Sequence, residues 1–244
     1  MKAWEVFSHS VRLVWRNRRD ALRISVALYA IYALVQLVFL EDQSASPDEA
    51  LQMIEPGQAG TLFLVAILQV VVTLWIAVSW HRFVLLEEYP SGWLPNFHGG
   101  SMLKYFGYSL VIGIGVGLAI GVPVTIAAAI APPLAAIVGL AGLFGAIVLG
   151  FRLASVLPAV ATGKSLSFGE AWSATNGATG TALGVAAIGV VAALLVQIPA
   201  AIVMAVSSLL GTLVFVVINW FVTMVSVSVL TTIYGHYIEG RPID

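Results

Sequence analysis

The chain has no cysteine, so a disulfide framework, a thiolate metal site and a cysteine nucleophile are all excluded. Charge is also scarce. Only 9% of the 244 residues are Asp, Glu, Lys or Arg, against roughly 25% in ordinary soluble domains. The net charge of -1 carries no signal for nucleic acid, and no nucleic-acid partner is expected. No stretch between the apolar runs is long enough to fold alone, so one integral membrane domain over 1–244 is expected. The opening MKAWEVFSHSVRLVWRNRRD lacks the short apolar core and small-residue cleavage site of a secretory leader, and no cleavage is expected. What is abundant is hydrophobicity, at 60% of residues with a mean hydropathy of +0.99. This balance is that of an all-α, polytopic membrane protein.

About 20 apolar residues are needed to cross the hydrocarbon core. Segments at 21–40, 61–86, 104–130, 133–158, 180–205 and 208–236 qualify, giving six spans. Ala131-Pro132-Pro133 divides the third from the fourth, because consecutive prolines remove donors and turn the preceding residue away from helix. Ser207-Ser208 divides the fifth from the sixth on weaker grounds.

An even number of spans puts both termini on one side. All 11 basic residues lie in or beside that side: Lys2, Arg12, Arg16, Arg18, Arg19, Arg23, Arg82, Lys104, Arg152, Lys164 and Arg241. The long opposite loop, EDQSASPDEALQMIEPGQAG, has no base. The positive-inside rule then makes both termini cytoplasmic.

Shorter elements accompany the spans. Trp4, Phe7, Val11 and Val14 recur at helical spacing with polar residues elsewhere on the wheel, which predicts a cytoplasmic amphipathic helix over 1–20. Ser167-Phe168-Gly169-Glu170 is a capping box that opens a second interfacial helix. The segment 93–98 offers a third, weakened by Gly99-Gly100. Ser46-Pro47-Asp48-Glu49 starts a short helix in the outer loop.

Together they suggest three copies of one unit: interfacial helix, span, hairpin, span. Val-Ser-Trp-His-Arg-Phe at 78–83 aligns with Val-Leu-Gly-Phe-Arg-Leu at 148–153, and each precedes a proline, Pro90 or Pro158. Pro123 and Pro199 recur ahead of span-ending turns. Arg82 and Arg152 then occupy equivalent positions, with the turn from Tyr234 to His236 as the third.

Phe-Arg-Leu-Ala-Ser-Val-Leu-Pro-Ala-Val-Ala from 151, a short polar link, and Glu-Ala-Trp-Ser-Ala-Thr-Asn-Gly from 170 resemble a known membrane domain. It is the one found beside some bacterial glycerophosphodiester phosphodiesterases, with related six-span inner-membrane families. The resemblance covers 151 to about 180 well and the rest by layout only. It implies a fold and a bacterial inner membrane. It implies no activity, since no phosphodiesterase domain lies within these residues.

Chemistry is thin. None of the 12 acids lies deep in a span, where coupled transport places carboxylates. The four histidines, His9, His81, His98 and His236, read as cytoplasmic and carry no metal-ligand or nucleophile-elbow spacing. No metal, no cofactor and no enzyme activity are expected. The polar bundle interior is Gln36, Gln69, Gln197 and Asn219, with Thr73 and Thr223, amides and hydroxyls suited to hydrogen bonding between helices or to lining a polar cavity.

Gly113, Gly117 and Gly121, with Ala135/Gly139, Ala141/Gly145, Ala146/Gly150 and Gly180/Gly184, form small-residue stripes. Such stripes let helices approach closely within the chain, or between copies of it.

Arg82 and Arg152, with Arg23 and Lys104, remain as candidates for binding anionic lipid headgroups or a partner's carboxylates. For Arg152, snorkelling from the end of its span accounts for the residue without any function. Two functions follow as expectations. One is a non-enzymatic inner-membrane scaffold, accessory subunit or lipid-associated factor; the other is a small transporter of an anionic or amphipathic solute.

Overall fold

The computed structural model describes the backbone of residues 2–39 and 56–243, and the side chains of 2–35 and 60–243. The predicted helix start at Ser46 lies outside the described residues. Those described form an all-α structure. Its helices are α1 (Lys2–Arg16), α2 (Arg18–Phe39), α3 (Pro56–Leu86), α4 (Gly99–Ile130), α5 (Pro132–Ala154), α6 (Val156–Ala161), α7 (Phe168–Ala174), α8 (Thr179–Val206) and α9 (Ser208–Tyr237). Among the described residues, five helical stretches, against the six spans expected, are long and apolar enough to cross a membrane: Gly60–Leu86, Gly99–Ile130, Pro132–Ala161, Thr179–Val206 and Ser208–Tyr237; α2 is not among them.

The long helices pair as hairpins, α2 with α3, α4 with α5, and α8 with α9. Neighbouring hairpins meet in a ring, through α3 against α4, α5 against α8, and α9 against both α2 and α3. The short α6 packs against α3, α4 and α9, and every one of its residues is buried. We call this closed end, which also gathers α1, α7 and the C-terminal segment, the base. Burial concentrates there. The inner helices α3 and α9 are 28% and 22% buried over their most apolar windows, against 6% for α4, α5 and α8.

Local chemistry explains several boundaries. Ala131 is extended at φ -160°, which lets α4 end and α5 start with proline in its first turn. The expected span 133–158 lies within the stretch Pro132–Ala161, where the helix is interrupted for one residue at Ser155, which keeps right-handed helical torsions, before α6 runs on to Ala161. Pro158 supplies the reason, because it has no N–H to offer the Ala154 carbonyl four residues earlier. The segment 93–98 is not helical, contrary to the interfacial helix suggested there, and α4 starts at Gly99, five residues before the expected 104. Pro123 and Pro199 lie inside continuous helices.

The amphipathic reading of α1 describes a helix that buries Val6, Ser10 and Val14 on one edge. At α7, Ser167 and Glu170 form the complete capping box: Ser167 Oγ accepts from the Glu170 N–H, and Ser167 N–H donates to Glu170 Oε2.

Glycine matters where hairpin arms touch. A Cβ at Gly142 would lie 2.7 Å from Ile120 Cγ2. One at Gly211 would strike the Met204 backbone across the tight turn at Ser207. In contrast, Gly113, Gly117 and Gly121 face open space, so that stripe is not used for packing within the chain. Gly211→Val should therefore lower thermal stability by about 1–3 kcal/mol through overpacking. Gly117→Leu should leave the melting temperature of the same detergent-solubilised chain unchanged.

Candidate functional site

His81 of α3 is fully buried in the base and bonds a side chain from each of two other helices. Its Nδ1 is 2.9 Å from Thr231 Oγ1 of α9, and its Nε2 is 3.2 Å from the Tyr105 hydroxyl of α4. Thr231 already donates to the Val227 carbonyl. It must therefore accept from Nδ1–H, which leaves Nε2 to accept from Tyr105. The neutral Nδ1–H tautomer satisfies every partner, and one imidazole joins a helix from each hairpin. The Tyr105 ring stacks beside it with centroids 5.8 Å apart.

Three guanidinium groups of the base each reach from one hairpin to the next. Arg82, at the end of α3, donates Nη1–H to the Ala161 carbonyl at the end of α6, at 3.2 Å. Arg152, at the end of α5, donates Nη2–H to the Trp172 carbonyl at 2.5 Å and Nε–H to Thr175 Oγ1 at 3.2 Å. Its Cζ also lies 3.4 Å from the centroid of the Trp172 ring. Arg241, beyond α9, donates Nη2–H to the Leu85 carbonyl of α3 at 3.2 Å. The circuit runs from the first hairpin to the second, then to the third, and back to the first. Helix-terminal carbonyls lack intrahelical donors, and a cation is the natural cap for them.

The lead-in segments follow the opposite circuit. α1, which precedes the first hairpin, packs on α8 and α9; α7, which precedes the third, packs on α5. The non-helical 93–98, which precedes the second, lies along the first hairpin, where Trp75 Nε1–H donates to the Asn96 carbonyl and the rings of Trp75 and Phe97 meet edge to face. Serines and threonines add ties. Thr232 bonds Ser10 of α1 at 2.9 Å, and Trp220 of α9 donates to Ser25 of α2 at 2.6 Å.

Glu88 holds Arg82 from the other side. Glu87, with φ 56°, turns the chain out of α3. Glu88 then accepts from Arg82 (2.6 Å), His98 (2.6 Å) and Asn96 (3.2 Å). Burial works to raise its pKa, but the hydrogen bonds from Arg82, His98 and Asn96 and the charge of Arg82 prevail and hold it at about 2. Glu239 bridges Lys164 at 2.5 Å and Arg241 at 2.7 Å. Burial opposes its ionisation too, yet these two cations keep its pKa below the ordinary carboxylate value.

Among the four basic candidates, the structure places Arg82 and Arg152 in internal bonds and leaves Arg23 and Lys104 apart from them. Arg23 is exposed on α2, 3.8 Å from Asp20, and Lys104 is exposed on α4. Among the described residues no bond joins any two of the four.

The amides also separate. Gln197 and Asn219 share one 3.5 Å contact inside the third hairpin, Asn219 bonds the Phe215 carbonyl, and Gln69 is exposed. The Gln36 side chain lies outside the described residues. No three His, Asp or Glu side chains gather as a metal site among the described residues.

Sequence reasoning missed His81, Thr231, Tyr105 and Arg241 as a set. The turn expected from Tyr234 to His236 is instead the last turn of α9, and Arg241 folds back against it, its N–H bonding the Gly235 carbonyl and its Cδ lying over Gly235. The signal available was that Gly235 leaves room for such a side chain. No protein-family model, curated protein or solved structure matches the chain.

Two measurements follow. His81→Phe, which keeps the ring, should cost about 1–3 kcal/mol because the Tyr105 hydroxyl is left unsatisfied. Arg152→Lys should lower the melting temperature too, since an ammonium cannot stack on Trp172 while bonding Thr175, an interaction worth about 2 kcal/mol when desolvated.

For Glu88 the sign is that of a depressed carboxylate. Its contribution is full above the ordinary value near 4.5 and is lost as pH falls through about 2. The protection factors of the amides in 88–98, corrected for intrinsic exchange at each pH, should therefore change little in wild type between pH 6 and pH 4 and be lower at both in Glu88→Gln.

Proposed function

We propose that the chain is a six-span protein of the bacterial inner membrane that works as a scaffold, accessory subunit or lipid-associated factor, with no catalytic centre. In this reading α2 is the first span and both termini are cytoplasmic. The basic residues support that orientation, because the base carries Arg82, Arg152, Lys164 and Arg241. The inner membrane rests on the resemblance of 151–180. The three hairpins are copies of one unit, supported by the two opposed circuits, guanidinium groups forward and lead-in segments backward.

One observation carries the functional part. The charges that a transport or anion site would use at Arg82 and Arg152 are engaged in closing the ring. The surface left unpartnered is apolar and belongs to the membrane-facing hairpins. Ile114, Leu118, Val122 and Ile126 on α4, with Ile137 and Leu140 on α5, are all more than half exposed or at half exposure. Beside them run Gly113, Gly117 and Gly121 in open space. Such a face suits a second membrane helix, from a partner or from another copy of this chain.

The test is native mass spectrometry of the chain extracted within patches of its own membrane. A second polypeptide, or a second copy, at fixed stoichiometry is the expected result, and Gly117→Leu should release it. A bare monomer, together with uptake of an organic anion into vesicles reconstituted with the chain, would replace this reading with the transporter.

A further inference from the structure

An apolar cleft of about 390 Å³ opens between α8 and α9, with α1 across its lower end. Phe7 and Val11 of α1, Gly189 and Ala193 of α8, and Phe221 and Val225 of α9 line it. A polar side chain in the wall, Ser226, spends its hydroxyl on the Val222 carbonyl. With that hydrogen spent, Ser226 can only accept, so the cleft lining is almost wholly apolar and favours a hydrocarbon guest over a polar solute.

The order of residues around α1 shows what meets the opening. Val6, Ser10 and Val14 form the buried edge, and Phe7 and Val11 form the next edge, facing the cleft. Then come Trp4 and Trp15, 62% and 63% exposed, and beyond them the polar face with Lys2, Arg12 and Arg16 against the lone acid Glu5. Exposed tryptophans beside a basic face mark the headgroup level of a bilayer. The groove thus starts at the headgroup level and continues along two spanning helices.

We infer that this cleft seats one acyl chain of an anionic phospholipid, with its headgroup against the Trp4/Trp15 edge of α1 and its tail between α8 and α9. The site rests on the membrane reading of α8 and α9, and on no other part of the proposed function. It is separate from Arg82 and Arg152, whose guanidinium groups are turned into the base.

The experiment uses the full chain in vesicles of phosphatidylglycerol and phosphatidylethanolamine containing a trace of phosphatidylglycerol with a diazirine on its tail. Adducts are mapped by peptide mass spectrometry. They should concentrate on α8, α9 and α1 at the cleft, and Gly189→Leu or Ala193→Phe should abolish that cluster while Leu140→Phe, on the exposed face of α5, leaves it. Repeating the labelling with a phosphatidylcholine probe should lower the cleft yield by about fivefold, the weight of one basic residue at the surface.

Adducts spread evenly over every spanning helix would overturn the site while leaving the membrane reading intact. Absence of adducts throughout would overturn both. Equal yields with the two probes would overturn the anionic headgroup. The wild-type map decides the first point even where a filled variant fails to fold.

Discussion

A single imidazole, buried among apolar helices and bonded at both nitrogens, sets the terms for the rest of the molecule. His81 cannot sit without partners in that position, because an unsatisfied buried polar group costs far more than the bond returns. Its partners, Thr231 and Tyr105, come from the other two hairpins. The base is therefore polar at its centre and apolar around it, and the neutral tautomer fixes how three helices meet. The guanidinium groups of Arg82, Arg152 and Arg241 extend the same logic outward, each capping carbonyls of the neighbouring unit.

A closed base and open hairpins divide the labour of the chain. Polar groups do the work of assembly at one end, where α6 fills the space between the helices and Trp80 and Met224 are fully buried. Away from the base, the arms of the second and third hairpins touch each other closely, through contacts such as Gly142 with Ile120 and Gly211 with Met204. In lipid there is no hydrophobic force to bring the hairpins together, so their outer faces remain available to tails or to other helices. The α8–α9 cleft is one place where that availability has a defined shape.

Much of this fold was legible in the sequence because membranes impose few solutions. The apolar runs from 61 onward, the proline pair after Ala131, and the capping box at Ser167 each map onto an observed element. The break at Ser155 was less visible, although Pro158 encodes it, since an apolar run reads the same whether helix is continuous or interrupted. The 93–98 segment carries aromatic residues suited to an interface but no cap or period to make a helix, and it runs as an irregular segment held to Trp75 instead.

The centre was the least legible part. His81 and the serines and threonines that tie helices together are short side chains whose importance depends on what faces them, which no periodicity reveals. Gln69, Gln197 and Asn219 drew attention as large amides, yet they mark no common centre. Arg152 was conspicuous and Arg241 was not, because one interrupts an apolar run and the other follows a helix end. Both do the same thing.

The absence of cysteine makes the central claim directly measurable, since spin labels can be placed in pairs on an otherwise unreactive chain. One pair would sit in the base at the exposed Ser91 and Ser173, and another at the outer ends at the exposed Ile130 and Leu209. Pulsed distance measurement of the isolated chain in lipid nanodiscs should give a narrow distribution at the base and a broad one at the outer ends, with His81→Ala broadening the base. A broad base in the wild type beside a narrow outer pair would contradict a bundle tied together through His81.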